Sequence, residues 1–408
     1  KLNKIKNYLF TKKINYLYVS SSENVNWVLN IRGKDLPNSP LINCKLIISD
    51  TDKLYLFIDK KKVTKTAIKH FRNIKIYNEN DFLKVISFFK KKRFIIDKNT
   101  CSIFEKEIIN IRFNIISEID PIYNLKSVKN NTEIKNTIKA HIEDGVAITK
   151  FLYWFKTNDA IITEKKAEKK LENLRRQSKN YLYPSFDTIA GSGPNGAIIH
   201  YKSNNQTNRK IKKNDILLID SGGQYRWGTT DVTRTLCSGK VSNKIKENFT
   251  RVLKGHIAVA TCDLSHKTKG YLIDKLARKY LKKVGLDYSH GTGHGVGYFL
   301  NVHEGPQAIS KYNEVLLKKG MILSNEPGYY LNNNYGIRIE NLIYIDELNK
   351  NLTFKNLTMA PIDIDMINFR MLNKHEKNYL FYYHLDVYSK ISKYLNKKEK
   401  KWLLNLIN

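Results

Sequence analysis

Cysteine, proline and methionine are scarce here, at four, eight and four among 408 residues, and acidic residues fall well short of basic ones, 38 against 71. Cys44, Cys101, Cys237 and Cys262 stand far apart and form no Cys-x-x-Cys pair. That excludes a zinc ribbon or a dithiol redox motif, and reduced, buried thiols are expected. No run of about 18 apolar residues occurs, and the lysine-rich start has no signal-peptide apolar core, so a cytoplasmic protein with no membrane partner is expected. The chain also begins without methionine, as a fragment or a processed form would. Glycine is nearly missing from the first half: Gly33 and Gly145 are the only two before residue 190, and the other eighteen lie between Gly191 and Gly336. Tight turns are therefore concentrated in one stretch, where the chemistry is to be sought.

The formal charge of +33 invites a polyanion partner. Lysine, however, is spread along the whole chain with asparagine, isoleucine and tyrosine, a pattern that fits codon bias toward A and T better than a basic groove. No nucleic-acid partner is expected. A chain of 408 residues with 41% apolar residues is too long for one ordinary core and predicts two domains.

From Lys1 to about Pro121 the periodicity alternates between helices and short strands. Helices are expected over Lys1 to Lys13, Glu23 to Leu29 and Asp81 to Phe89. Strands are expected over Asn15 to Val19, Lys45 to Ser49, Lys53 to Ile58, Ile74 to Tyr77 and Arg93 to Asp97. This reads as an α/β sheet domain, ended near Ile122 by Asp120-Pro121 and Asn124. Apolar residues at helical spacing then predict a long helix over Asn131 to Lys156, with further helices near Glu164 to Ser178, Asn243 to Ala258 and Thr268 to Val284. The glycine-rich loop after Phe186 is expected to enter a strand ending at His200. Strands resume at Asn351 to Phe354 and Leu357 to Pro361, before helices from Asn373 to Leu406.

The chemistry lies between Leu217 and Glu340. Two β-prone segments, Leu217 to Tyr225 and Gly228 to Thr235, form a hairpin carrying Asp220 and Asp231. His290-Gly291-Thr292-Gly293-His294-Gly295-Val296-Gly297 packs glycines around two histidines, so backbone can approach whatever the imidazoles hold. Asn325-Glu326-Pro327-Gly328 and Arg338-Ile339-Glu340 each add a carboxylate. Taken singly these are weak signals: Asp beside Gly often only caps a turn, and Arg338 with Glu340 could be a strand ion pair. Jointly, Asp220, Asp231, His294, Glu326 and Glu340 suit a pair of divalent cations. Carboxylates bridge hard cations, and one imidazole favours Mn, Co, Fe or Zn over Ca or Mg. Adjacent buried carboxylates also need a cation to stay ionised. Such a pair activates water and polarises a carbonyl, which predicts peptide hydrolysis.

At these residues the sequence resembles the pita-bread metallopeptidases, and most closely the Xaa-Pro aminopeptidases of the cytosolic type. The resemblance extends over Ser185-Phe186-Asp187-Thr188-Ile189, Gly193-Pro194-Asn195-Gly196-Ala197-Ile198-Ile199-His200-Tyr201 and Arg251-Val252-Leu253-Lys254-Gly255-His256. It implies a creatinase-like N-terminal α/β domain over residues 1–122. A pita-bread catalytic domain, a curved antiparallel sheet with outer helices, would follow over 123–408, with a C-terminal extension from about 352. Carried over, the metal ligands fall on Asp220, Asp231, His294, Glu326 and Glu340, with Asp231 and Glu340 bridging. Glu326 is expected to shuttle the proton, His290 and His303 to hydrogen-bond the scissile region, and His200, His303, Arg338 and Tyr330 to steady substrate and ligands. The implied cofactors are two divalent ions, Mn2+ ahead of Co2+ or Zn2+. The implied substrates are peptides with proline at position two, and the implied assembly is a homodimer through the C-terminal extension. Two alternatives stay open: a prolidase confined to Xaa-Pro dipeptides, and a metal-free binding module on the same fold.

Overall fold

The computed structural model describes the chain except positions 52, 72, 91, 159, 265–267 and 408, so the last residue of the expected C-terminal extension lies outside the described residues. Two compact units result, Lys1–Lys126 and Ser127–Asn408.

The first unit is a mixed six-stranded sheet flanked by helices. Its strands are β1 (Tyr16–Val19), β2 (Lys45–Ser49), β3 (Leu54–Phe57), β4 (Ile74–Tyr77), β5 (Arg93–Asp97) and β6 (Asn114–Glu118), in the order β4-β3-β2-β1-β5-β6. Pairs β3–β4, β1–β5 and β5–β6 are parallel and the rest antiparallel. β1 and β3 are buried along their whole length, which is why they read as unbroken apolar runs rather than alternating ones. Their alternate residues face two helical layers. Tyr18, Phe57 and Phe94 pack with Phe82 of α4 (Phe82–Ser87) and Ile109 of α5 (Ile103–Asn110). Helices α1 (Leu2–Lys12), α2 (Ser22–Leu29) and α3 (Lys65–His70) complete the unit. Here α5 starts at a capping box, Ser102 with Glu105.

After α6 (Ile122–Ser127), the second unit opens with α7 (Asn131–Thr157) and α8 (Glu164–Arg175). Asn130 caps α7, its side chain accepting from the Thr132 and Glu133 amides. The body consists of antiparallel sheets: β7 (Tyr181–Pro184), β10 (Gly223–Tyr225) and β11 (Gly228–Thr229) form one. A second contains β8 (Ile189–Ser192), β9 (Ile216–Ser221) and β12 (Val232–Cys237). A third has the order β14-β13-β15-β18-β19, with β13 (Gly293–Gly295), β14 (Glu304–Ile309), β15 (Ile322–Asn325), β18 (Asn341–Leu348) and β19 (Asn351–Asn356). The hairpin β16 (Gly328–Leu331) to β17 (Tyr335–Arg338) falls in sequence between β15 and β18 of the third sheet. Helices α9 (Asn243–Ala260) and α10 (Gly270–Lys282) each bury one apolar stripe, and α11 (Lys374–Ile391) and α12 (Lys397–Asn405) close the chain. Among the described residues no helix is long and apolar enough to cross a membrane. The expected succession, an α/β unit followed by antiparallel sheets with outer helices, is what the structure has.

Two expectations need correction. His200 does not end a strand. Gly193 sits at φ +54°, and Pro194 follows it at the start of a 3-10 turn over Gly193–Ala197, so the chain coils there and His200 falls in the turn beyond. Nor is Leu357 to Pro361 a strand. β19 ends at Asn356, and the carbonyls of Ala360 and Pro361 are taken by side chains instead of a ladder.

Candidate metal centre

β9 and β12 run antiparallel with Thr233 opposite Asp220 and Val232 opposite Ser221. Side chains alternate across a strand, so Asp231, Thr233 and Asp220 project from the same face. Glu340 is brought to that face from a hundred residues away: its amide donates to the Thr233 carbonyl (3.1 Å), and its Oε2 accepts from Thr233 Oγ1 (2.8 Å). The third strand is β13. A Cβ on Gly293 would fall 1.9 Å from the Ser324 carbonyl oxygen, so only glycine lets β13 lie this close to β15. That approach seats His294, whose amide donates to Ser324 Oγ (2.9 Å), while the same hydroxyl donates to Glu326 Oε1 (2.9 Å). One serine thus holds two of the expected ligands.

Ligand atoms of Asp231, His294 and Glu340 lie within 4.8 Å of one another. His294 Nε2 is 3.5 Å from both Asp231 Oδ2 and Glu326 Oε1, too far for a normal hydrogen bond. Its Nδ1 lies 2.9 Å from the Gly295 carbonyl, which can only accept, so the ring proton belongs on Nδ1. The Nε2 lone pair therefore faces two carboxylates. A cation between them satisfies that arrangement, and Asp220 Oδ1, buried without a hydrogen-bond donor, points to the same need. The donor set of four carboxylates and one imidazole fits two divalent ions.

Electrostatics agree. Burial, then Asp220 and Glu326, push Asp231 well above the usual carboxylate range, and burial, then Asp231 and Glu326, do the same to Glu340. Glu326 is also raised, chiefly by burial. Among the described residues the one guanidinium in contact with these carboxylates is Arg338, whose Nη2 is 2.6 Å from Asp220 Oδ2. A single cation against four acids leaves a deficit that metal ions would remove.

These residues line a cleft of about 480 Å³ together with His200, His290, His303 and Arg338. Tyr330 stands behind it, accepting from Arg338 Nη1 (2.7 Å) and lying 2.8 Å from His290 Nε2. His290 Nδ1 is 2.7 Å from the Gly291 carbonyl, so both its nitrogens are engaged. Loss of solvent, then the Arg338 charge, pull its pKa down to about 4, leaving it neutral at pH 7. His303 is exposed and sets its ring edge-on to His294, centroids 4.2 Å apart. Sequence reasoning did not find Phe186, Ile189 and Ile199, which form an apolar wall of the cleft, nor Asp187 and Lys202, ion-paired at 2.5 Å on its lining. Only the position of Phe186 and Ile199 beside the glycine-rich loop hinted at them.

The chain matches metallopeptidase family M24 over residues 135–347, the creatinase/prolidase N-terminal domain over 1–133 and the C-terminal region of peptidase M24 over 350–407. It is 38% identical to Xaa-Pro aminopeptidase 1 of Dictyostelium discoideum, covering 100% of this chain and 68% of that protein. It is equally 38% identical to a probable Xaa-Pro aminopeptidase P of Laccaria bicolor, over 93% of this chain and 62% of the relative. The chain therefore spans about two thirds of the length of these relatives. Among solved structures, the X-prolyl aminopeptidase of Caenorhabditis elegans, described as a cytosolic enzyme with a di-nuclear active site, superposes with a TM-score of 0.94. It is 32% identical, and the match takes in 100% of this chain and 70% of that one. With all three segments matched in order and the five metal-seeking side chains gathered in one cleft, the chain belongs to metallopeptidase family M24.

Proposed function

We propose that the chain is a metal-dependent aminopeptidase that hydrolyses the bond between an N-terminal residue and a following proline. The observation that carries this reading is the convergence of Asp220, Asp231, His294, Glu326 and Glu340 beside an apolar wall of Phe186, Ile189 and Ile199. Two divalent cations, Mn2+ by preference with Co2+ or Zn2+ as substitutes, would supply water activation and an electrophile for the scissile carbonyl. The remaining work falls to side chains. Glu326, held at Oε1 by Ser324, takes the proton of the attacking water and returns it to the proline nitrogen as the C–N bond breaks. His303, exposed at the cleft surface, donates to the substrate carbonyl, while His290, neutral with its proton on Nδ1, offers Nε2 as an acceptor to a substrate N–H in place of the Tyr330 hydroxyl. His200 and Arg338 steady the substrate and Asp220 respectively.

Proline suits this cleft for a physical reason. Its nitrogen carries no hydrogen, so a wall that offers no acceptor loses nothing against it, and a fixed φ presents the ring to the apolar side. An extended-strand peptidase lacks both advantages. The reading extends to a cytoplasmic setting and to a homodimer formed through the C-terminal segment, where α11 exposes Phe381, Tyr382 and Leu385.

The test is hydrolysis by Mn2+-loaded protein of three substrates: Xaa-Pro-Xaa, Xaa-Ala-Xaa and the dipeptide Xaa-Pro. Release of the first residue from the proline tripeptide alone is expected. Preference for the dipeptide would make the protein a prolidase, and no cleavage with two metals bound would refute the reading.

A further inference from the structure

Arg234 follows Thr233 on β12, so alternation turns it away from the cleft, and it is buried. Among the described residues it meets no carboxylate. Instead every nitrogen of its guanidinium is spent on neutral acceptors. Nη1 donates to the carbonyls of Thr233 (2.9 Å) and Glu340 (2.6 Å). Nε donates to the Pro361 carbonyl (2.9 Å). Nη2 donates to Asn341 Oδ1 (2.8 Å), the Ala360 carbonyl (2.7 Å) and the Tyr383 hydroxyl (3.0 Å), and that hydroxyl in turn donates to Ala360 (2.6 Å).

A buried cation with no carboxylate in contact is a costly way to hold strands together, since apolar side chains of similar volume often do so at least as well. What apolar side chains cannot do is fix two carbonyl oxygens at a set separation. Arg234 Nη1 does this at one particular place. Thr233 and Glu340 are the residues where the Asp231 strand meets the Glu340 segment, already joined by Glu340 N–H to the Thr233 carbonyl and by Thr233 Oγ1 to Glu340 Oε2. The other side of the fork grips Ala360, Pro361 and Tyr383, which belong to the C-terminal segment.

We infer that Arg234 is a positioning residue for the metal pair: through Tyr383 and the Ala360-Pro361 carbonyls it ties the C-terminal segment to the crossing that sets the spacing of Asp231 and Glu340. This rests on the ligand assignment of the proposed function. The C-terminal segment is then part of the metal site's frame, although none of its described side chains lines the cleft.

The test is a Co2+ titration of the metal-free full chain, followed by calorimetry and visible absorption, for the unaltered protein, Tyr383→Phe, Arg234→Lys and Tyr379→Phe. Tyr379 lies on the same helix, but its hydroxyl accepts from Asn356 instead. Outer partners of metal ligands typically contribute ten- to a hundredfold in affinity. Tyr383→Phe, which keeps the ring, should weaken the second Co2+ about tenfold and alter its absorption band, Arg234→Lys about a hundredfold, and Tyr379→Phe not at all. Should Arg234→Lys fail to fold, Tyr383→Phe decides alone. Unaltered affinity and spectrum in folded Tyr383→Phe overturn the inference, as does equal weakening in Tyr379→Phe. A chain that binds two Co2+ with the expected variant effects yet cleaves no proline peptide would sink the proposed function and leave this inference standing.

Discussion

His256 offers a pH dependence that can be worked through from its surroundings. It lies on α9 with no exposed surface, its Nδ1 3.1 Å from the Asn325 carbonyl, and Asn325 Nδ2 returns a bond to the His256 carbonyl (2.9 Å). Burial, then the nearby Arg234 charge, depress its pKa from 6.5 to about 3. A base whose folded pKa is depressed contributes stability that is present above 6.5 and lost as pH falls, because only the unfolded chain takes up the proton. At pH 5 the unfolded form is almost fully protonated at this site and the folded form almost not at all, a loss of about 2 kcal/mol relative to pH 7. The buried carboxylates Asp231 and Glu340 act in the opposite sense, since raised acids favour the folded state as pH falls. Comparison with His256→Asn removes them, because they titrate in both proteins, and asparagine keeps a donor where Nδ1 stood. Urea denaturation of both metal-free proteins at pH 7 and pH 5 should show the stability gap shifting by about 2 kcal/mol in favour of the variant at pH 5. A gap that stays the same at the two pH values would refute the reasoning.

Further outcomes follow from the same geometry. Ser324→Ala removes the hydroxyl shared by His294 and Glu326, and steady-state kinetics on Xaa-Pro-Xaa should show kcat reduced about tenfold with KM little changed. Glu326→Ala should abolish turnover of the same peptide, and undiminished activity would refute its assigned role. Stripping the metals should lower the melting temperature more at pH 8 than at pH 6. Raised carboxylates such as Asp231 and Glu340 lose their stabilising protons as pH rises, and calorimetry with and without chelator reads this directly. Lys129 and Glu304 form an ion pair with both side chains about 1% exposed, so Lys129→Met should cost about 3–5 kcal/mol in chemical denaturation, with much of it recovered by adding Glu304→Gln.

How far the sequence revealed the fold depended on burial. β2 and β5 occur at the bounds read from their apolar runs, and α7 and α9 near theirs, because these segments bury a regular pattern; β4, a half-exposed edge strand, was read from the alternation of Ile74, Ile76 and Tyr77 with Lys75. β6, Asn114–Glu118, was not anticipated: it is a sheet edge, half exposed, and its Asn, Ser and Glu hide the pattern. α5 escaped for a related reason, since Ile103 and Phe104 point outward and blur its amphipathic signal. At His200 the β-prone Ala197-Ile198-Ile199 suggested a strand, but Gly193 and Pro194 impose a turn that local propensity cannot override.

The site divides along another line. The carboxylates and imidazoles proposed as ligands could be singled out because metal chemistry tolerates few types there, and such groups flanked by glycines have few other uses in such density; the apolar wall of Phe186, Ile189 and Ile199 could not, since apolar residues are ordinary core types. Several of the groups that orient them, beyond Arg338 and Tyr330, were not legible either. Thr233, Ser324 and Arg234 are common types with many ordinary uses, and their significance lies in partners a long way along the chain, such as Glu340 for Thr233, separated by 107 residues. A serine two residues before a glutamate is unremarkable in sequence; it matters because Gly293 allows β13 close enough for its hydroxyl to meet His294 as well. The orienting shell is therefore a product of strand register rather than of residue type. A sequence could keep all five candidate ligands yet lose the site through a change at Gly293 or Arg234, neither of which would itself touch metal or substrate.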